Sequence, residues 1–155
     1  MNCNMINNEF DVQFFKSWIK GFEKGLDSLD EVNKICLLKE CARSCANTGV
    51  LEKHQKLYEA ANHNLDEYYR RLNETGDVTG EVIISGKEYM ITYSECGCDL
   101  HTSCGLNSGS LCECSRQSIL YVEQSVTNRT IIVERLESVL AGDEVCKFRI
   151  RFEDF

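Results

Sequence analysis

Proline is absent from all 155 residues, and the chain also lacks a long hydrophobic run. Without proline, no helix is interrupted by a missing backbone donor, and no slow proline isomerisation is expected during folding. No apolar stretch approaches the roughly 18 residues needed to span a membrane. The opening residues, MNCNMINNEFDVQFF, show neither the basic nor the apolar segment of a secretory signal. We therefore expect a cytoplasmic protein that makes no contact with a membrane.

Basic residues are also scarce, and this argues against another class of function. Seventeen lysines and arginines stand against 25 aspartates and glutamates, which gives a formal net charge of −8. Proteins that bind nucleic acid neutralise phosphates with clustered lysine and arginine, and this sequence has no such cluster. We therefore expect no nucleic-acid partner.

The spacing of apolar residues predicts helices in the first half of the chain. A first helix is predicted over residues 8–26, with a core-facing stripe made of Phe14, Trp18, Phe22 and Leu26, and with Phe15 and Ile19 beside it. Ser28 and Glu31 form a predicted capping box that starts a second helix, from Leu29 to about Asn47. A third helical region covers residues 51–72, and a break is expected near 62–64, where Asn64 would cap a new helix.

After residue 75, turn residues and alternating apolar side chains predict two β-hairpins. The first joins residues 81–85 to 88–94, and the second joins 130–140 to 144–152. Between them we expect a loop without regular structure over 97–110 and a helix over 115–125. The order predicts one α+β domain, residues 1–155. Its N-terminal helical part, 8–73, would pack on a twisted antiparallel sheet within a sheet-and-loop part, 80–152.

Ten cysteines are the most unusual feature of the composition. In a reducing cytoplasm, such a count favours metal binding or thiol chemistry over disulfides. Two Cys-x-Cys pairs stand at the two ends of the loop, and two further cysteines share one face of the second helix. Zinc is held by about four converging cysteine or histidine ligands. We expect a cysteine-ligated zinc whose preferred ligands are Cys96, Cys98, Cys112 and Cys114, with Cys41 and Cys45 as alternatives.

Thiol chemistry and simple packing are the open alternatives for these cysteines. A cysteine nucleophile needs a lowered thiol pKa, and Arg116 together with the start of the following helix would favour a thiolate at Cys112 or Cys114. The Cys-x-Cys pairs could instead cycle between dithiol and disulfide in a redox sensor. Cys36 and Cys146 are expected to pack in the core. No motif decides whether the chain is an enzyme.

The second half of the sequence resembles a known group of proteins. A tyrosine strand leads into a cysteine pair at 93–98, and Cys-x-Cys-Ser opens a helix at 112–115. The pattern E-S-V-L-x-G-D-x-x-C-x-F-x-I closes the domain at 137–150. These features resemble an uncharacterised bacterial cysteine-rich family. The closing hairpin is similar to 4-vinyl-reductase-type small-molecule-binding domains and to the L-2-amino-thiazoline-4-carboxylate hydrolase group.

The first resemblance implies a fold related to haem–nitric-oxide-binding and trafficking-complex domains, with a pocket between helices and sheet and a cysteine-bound zinc. The second implies ring-opening hydrolysis of a thiazoline. We therefore expect a small-molecule-binding domain with a zinc site; a hydrolase of a small sulfur-containing ring and a thiol redox sensor are the alternatives.

The expected ligand pocket lies under the cysteine-rich loop, and its expected residues are Tyr93, His101, Cys104 and Arg116. Haem is not expected, because neither His54 nor His63 is supported as an axial ligand. A homodimer fits this type of fold, although no residue demands it.

Overall fold

The computed structural model describes residues 9–76 and 78–153, with side chains from Gln13 onward. Its helices are α1 (Glu9–Ser28), α2 (Glu31–Ala46), α3 (Val50–Ala60), α4 (Leu65–Leu72), α5 (Asp99–Thr102) and α6 (Leu111–Thr127). Its strands are β1 (Thr79–Ile84), β2 (Glu88–Tyr93), β3 (Ile131–Glu137) and β4 (Cys146–Phe152). Within the described ranges, no helix is both long and apolar enough to cross a membrane.

The four strands form one antiparallel sheet in the order β1-β2-β4-β3. Alternate residues of β4 are buried, so one face of the sheet lies in the core. The other face carries Arg149, whose guanidinium is 3.4 Å from a Glu88 carboxylate oxygen and 3.5 Å from one of Glu134. Helices on one face of an antiparallel sheet define the α+β class, and the predicted fold class is therefore confirmed.

Two hydrophobic clusters hold the helices in place. The main cluster lies between the inner face of the sheet and helices α4 and α6, and its most buried members include Tyr68, Tyr69, Tyr89, Phe148 and Ile150. A second cluster joins α1 and α2 to the cysteine-rich loop, and it contains Ile19, Leu26, Leu38, Leu106 and Leu111. Since Leu111 begins α6, that helix contributes to both clusters.

Helix α1 forms as predicted but turns a different face to the core. Ile19 and Leu26 are buried, whereas Phe14 and Trp18 are 63% and 58% exposed. The sequence offers two adjacent apolar lines along this helix, and periodicity alone does not tell which of them packs. The prediction that Phe14 and Trp18 lie in the core was wrong.

Local hydrogen bonds decide where the next helices begin. Asp30, not Ser28, caps α2 by accepting a bond from the Asn33 backbone at 3.0 Å. The Ser28 hydroxyl instead donates to the Gly25 carbonyl within α1, so the predicted capping box is absent. Asn64 caps α4 as predicted, because its side chain accepts from the Glu67 backbone at 2.9 Å.

The cysteine-rich loop contains more regular structure than predicted. The backbone folds into the short helix α5, in which the Thr102 amide donates to the Cys98 carbonyl. Helix α1 anchors the end of the loop: Glu23 accepts from the backbone amides of Asn107 and Ser108 at 2.6 and 2.7 Å. The start of α6 is therefore fixed by a carboxylate from a distant part of the chain.

Gly80 allows β1 to lie directly against α4. A Cβ atom at this position would overlap the backbone carbonyl oxygen of Tyr69. Asn73 completes the contact, since its side-chain amide donates to the Gly80 carbonyl at 3.0 Å and accepts from the Gly80 amide at 3.2 Å. Because backbone atoms cannot rotate aside, only glycine fits here.

We expect Gly80→Ala to lower the free energy of unfolding by about 1–3 kcal/mol, since the added methyl group must push α4 away from the sheet. Urea unfolding followed by circular dichroism measures this loss. Gly21→Ala on α1 is the matched control, because a Cβ there meets open space. Equal effects of the two substitutions would contradict this account.

Candidate functional site

The structure brings cysteines from three parts of the chain together at the N-terminal end of α6. Burial, and then the neighbouring thiols of Cys41, Cys98 and Cys45, raise the pKa of Cys114 to about 12. Cys41 and Cys45 come from α2, which packs along α6. The neighbours of Cys114 therefore include one member of the other Cys-x-Cys pair and both helical cysteines.

A second set of thiols adjoins the first on the side of the sheet. The Cys112 sulfur lies 2.7 Å from the hydroxyl of Ser138, and both residues are buried. Cys146 is buried in the main cluster, as predicted, whereas Cys36 is exposed and the prediction that it packs in the core was wrong. Burial, which is the largest cause, raises the pKa of Cys96 and that of Cys146.

These surroundings do not favour a reactive thiolate at Cys114. A thiol with a raised pKa is protonated at neutral pH, and the thiolate is the nucleophilic form. Arg116, which the sequence suggested as a stabilising cation, binds Glu113 at 2.6 Å and donates to the Val133 carbonyl at 3.1 Å. Its charge is thereby matched by a carboxylate rather than by sulfur.

The thiols are neighbours without forming a ready ligand set. Among residues 9–76 and 78–153, no three cysteine, histidine, aspartate or glutamate side chains are arranged to hold a metal ion. Cys104 is disulfide-bonded, which removes its sulfur from the potential ligands. Cys3 lies outside the described residues. The cysteine-ligated zinc stays a prediction.

Two of the four predicted pocket residues, Tyr93 and Cys104, belong to different hydrophobic clusters. Tyr93 packs against the main cluster, with its ring centroid 6.3 Å from that of Phe148, whereas Cys104 is buried in the second cluster. His101 lies in α5, and its Nδ1 is 2.7 Å from the Leu106 carbonyl. Each residue thus has a structural contact of its own, and their shared role in a pocket stays a prediction.

A buried polar network, which the sequence reasoning missed, lies between the helices and the sheet. The carboxyl group of Glu123, on α6, is only 1% exposed. The Tyr68 hydroxyl, on α4, donates to Glu123 Oε1 at 2.9 Å. His54 Nδ1, on α3, is 2.6 Å from the same hydroxyl oxygen, so with the hydroxyl proton directed to Glu123 the imidazole is the donor.

Within residues 9–76 and 78–153, two polar atoms of this network have no hydrogen-bond partner. They are Glu123 Oε2 and the hydroxyl oxygen of Tyr69, and each lies in a residue with at most 1% exposure. The Tyr69 hydroxyl interacts with the Glu123 carboxyl and lowers its pKa, although the two groups do not meet at the distance and angle of a well-formed hydrogen bond. The Tyr69 ring stacks on that of Tyr89, with 4.0 Å between centroids. The tyrosine is therefore held in place although its hydroxyl is unsatisfied.

Burial sets the charge of this network. It raises the pKa of Glu123 to about 7, and the hydroxyls of Tyr68 and Tyr69 lower that pKa only in part. Burial, with a smaller effect from Lys53, lowers the pKa of His54 to about 4. Near neutral pH, His54 is therefore uncharged and Glu123 is close to the pH at which it gains or loses its proton.

Helix α3 covers the network, and its contacts with the rest of the fold come from half-buried side chains. None of its 11 residues is fully buried. It begins after Gly49, which has a φ of 130°, and it is followed by Asn62 and His63, with φ of 51° and 60°. Left-handed conformations at residues other than glycine cost of order 1–3 kcal/mol. Helix α3 is thus flanked on both sides by backbone with positive φ, a conformation that residues other than glycine adopt only with strain.

Open grooves on the surface follow the start of α3. One of about 450 Å³ is lined by Gly49, Glu52, Lys53, Lys56 and Leu57. Its charged wall includes the ion pair between Lys56 and Glu52, at 2.6 Å. One of its lining residues, Leu57, also packs against the main cluster, whereas Glu123 and its tyrosine partners do not line the groove.

The sequence does contain a signal for Glu123. Ile119, Val122 and Glu123 fall at i, i+3 and i+4 on the buried face of α6. A carboxylate at a position where the helical pattern demands an apolar residue indicates a buried charge.

Comparison with known proteins supports the fold. No protein-family model matches the chain, and no curated protein sequence matches it. Among solved structures, the phenol-responsive sensory domain of the transcription activator PoxR, bound to phenol, has a TM-score of 0.52 at 13% identity, covering 89% of this chain and 74% of that one. At this identity, the similarity shows a shared fold and nothing further.

Two other solved structures are similar at lower scores. Trafficking protein particle complex subunit 3 from Naegleria fowleri, covalently bound to palmitic acid, has a TM-score of 0.49 and 14% identity, over 97% of both chains. A vinyl-4-reductase family protein from Methanocaldococcus jannaschii has a TM-score of 0.39 and 11% identity, over 97% of this chain and 99% of that one. The suggested cysteine-rich bacterial family and the thiazoline hydrolase group stay predictions.

The buried carboxyl of Glu123 predicts a pH-dependent stability. Its pKa of about 7 in the folded chain exceeds its ordinary value of 4.5, so the unfolded chain releases the proton first as pH rises. Folding stability is therefore lost between about pH 4.5 and pH 7, by roughly 3 kcal/mol in all. Glu123→Gln has no proton to lose. The free energy of unfolding of this variant, minus that of the native chain, should therefore be larger at pH 8 than at pH 5.

Urea unfolding at the two pH values measures this difference. His54 acts in the opposite direction, because its lowered pKa removes stability as pH falls from 6.5 to about 4. Both chains retain His54, and Glu123→Gln keeps an acceptor for the Tyr68 hydroxyl, so the comparison isolates the charge of Glu123. Glu59→Gln, at an exposed position of α3, is the matched control and should show no such difference. A pH-independent effect of Glu123→Gln would mean that the carboxyl is solvated.

Proposed function

We propose that this chain is a small-molecule-binding domain whose ligand enters between α3, α4, α6 and the sheet. The observation that carries the proposal is the pair of unpartnered buried atoms, Glu123 Oε2 and the Tyr69 hydroxyl. Buried polar groups are nearly always satisfied, and each exception needs an explanation. A polar group of a ligand would satisfy both atoms at once.

The fold comparison supports the same role. The PoxR domain is described as phenol-responsive and was solved with phenol. In this chain, tyrosine rings lie beside the buried carboxyl, and such rings would suit an aromatic ligand. The Tyr58 and Tyr68 ring centroids are 5.6 Å apart, and those of Tyr68 and Tyr69 are 5.1 Å apart. Aromatic walls with a few placed polar groups are typical of ligand sites.

Entry of a ligand requires α3 to move, and its attachment suits that role. Its contacts with the main cluster come from partly buried residues, Leu57 and Tyr58. Segments that open to admit ligands are drawn from the less stable parts of a fold. The strained turn at Asn62 and His63 gives the motion a place to pivot.

We expect single-ring aromatic alcohols, amines or acids, phenol among them, to include a ligand that binds saturably and slows amide hydrogen exchange in α3. The slower exchange follows because an occupied site holds α3 closed. Glu123→Gln should weaken that binding about tenfold or more, as a hydrogen bond to a charged group contributes roughly 1.5–3 kcal/mol.

Titration calorimetry gives the affinity, and hydrogen exchange with mass spectrometry gives the location. Glu59→Gln, exposed on the same region of the fold, should bind like the native chain. Binding that leaves the exchange of α3 unchanged, or that is indifferent to Glu123→Gln, would place the ligand elsewhere and contradict the proposal.

We further propose that the cysteines at the start of α6 hold zinc. The convergence of Cys98, Cys41 and Cys45 on Cys114 supports this. Zinc prefers thiolate ligands, and binding would deprotonate thiols that burial otherwise keeps protonated. The preferred ligands remain Cys96, Cys98, Cys112 and Cys114, with Cys41 and Cys45 as alternatives. Any such site needs side chains to turn from the positions described above.

Protein purified without added metal or chelator should contain about one zinc per chain, with several thiols protected until a chelator is added. Elemental analysis and a thiol count measure both. Cys98→Ser should abolish the metal content, whereas Cys36→Ser, at an exposed position away from the set, should leave it unchanged. Absence of metal together with free titration of the thiols would rule the site out. No observation favours the hydrolase or the redox sensor over this role.

A further inference from the structure

The charge of Glu123 restricts the chemical class of ligand that the site would bind. This inference rests on the proposed binding function. Burial and the hydroxyls of Tyr68 and Tyr69 set the Glu123 pKa, and no cation of the described part of the chain contributes to it. The charge of Arg129 acts on the neighbouring Tyr58 instead. A buried carboxylate without a positive partner is costly, and the cost is relieved when a cation arrives. The site is therefore unmatched in charge as well as in hydrogen bonding.

The surroundings of the carboxyl suit a cation in a second way. Tyr68 and Tyr69 meet edge to face beside it, and Tyr58 meets Tyr68 in the same manner. The faces of such rings carry negative potential and attract ammonium groups, most strongly when water is excluded. Both tyrosine hydroxyls near Glu123 are neutral, because burial raises the pKa of Tyr68 and of Tyr69 well above its usual range. Neither hydroxyl carries a charge, so Glu123 is the group that would supply negative charge to an ammonium ligand.

We propose that this site binds a small organic amine in its cationic form, with the ammonium group donating to Glu123 Oε2 and to the Tyr69 hydroxyl oxygen. Both acceptors are unpartnered, and an ammonium group has three donors to offer. A carboxylate ligand would be repelled by Glu123. A neutral alcohol would satisfy one acceptor but would leave the charge unmatched.

Three probes of equal size separate these possibilities: benzylamine, benzyl alcohol and benzoate. Benzylamine should bind the native chain at least about tenfold more tightly than benzyl alcohol, and benzoate should not bind. Glu123→Gln should remove the preference for the amine. Glu123→Asp, which retains the charge, should keep the preference even if the shorter side chain weakens binding overall. Circular dichroism confirms that each variant is folded before its affinity is measured.

The outcomes distinguish this inference from the binding function on which it depends. Equal or tighter binding of benzyl alcohol, with slower exchange in α3, overturns the amine and leaves the small-molecule site intact. An amine preference that persists in Glu123→Gln also overturns the inference, because the charge would then be recognised elsewhere. If none of these three probes binds, and none of the other single-ring aromatic alcohols, amines and acids binds, both the amine proposal and the proposed binding site are overturned.

Discussion

The packing of α6 is the constraint on which the rest of the molecule depends. This helix lies along α2 on one side and contacts α3 and β3 on others. Its first turn supplies Leu111 to the second cluster, and Ile119 lies in the main one. Cys114 and Glu123 are separated by little more than two turns of this same helix. A change in the position of α6 would therefore move the thiols near Cys114 and the carboxyl of Glu123 together.

The elements of the fold follow from the sequence better than the contacts between them. Alternation in β4 and the Asn64 cap are local signals, which depend on residues close in the chain, and both were read correctly. The face that α1 presents is a tertiary property: Phe14 and Ile19 are equally apolar candidates until the second cluster selects one. The competition between Ser28 and Asp30 for a cap was likewise decided by a hydrogen bond that periodicity does not reveal.

The candidate sites show the same division. The concentration of cysteine in residues 96–114 directed attention to the right end of α6, but the approach of Cys41 and Cys45 to Cys114 depends on how two helices cross. Glu123 is separated from Tyr68 by 55 residues, and no spacing rule joins them. In the sequence, such a network is indicated only by a single charged residue on an apolar helical face. The hydrogen-bond partner of that residue is identified only from the structure.

Burying a carboxyl beside three tyrosine rings is a poor way to stabilise a fold, because an apolar side chain would fill the same space without desolvating a charge. The molecule accepts this cost at a place covered by α3, a helix without a fully buried residue. Strain and unsatisfied polar groups are expected where a structure serves binding rather than stability. The same reasoning separates Glu123 from Glu134, whose carboxylate lies on the open face of the sheet and pairs with Arg149.

The exposed position of Trp18 has a spectroscopic consequence. It is the single tryptophan of the chain, and its ring stacks on Phe22 at 6.0 Å while remaining largely in water. Its emission therefore reports the solvent around α1 rather than the interior, and unfolding of the sheet should change it little. Conversely, any molecule or second chain that covers this face of α1 should shift the emission to shorter wavelength, so the protein carries its own optical reporter for that surface.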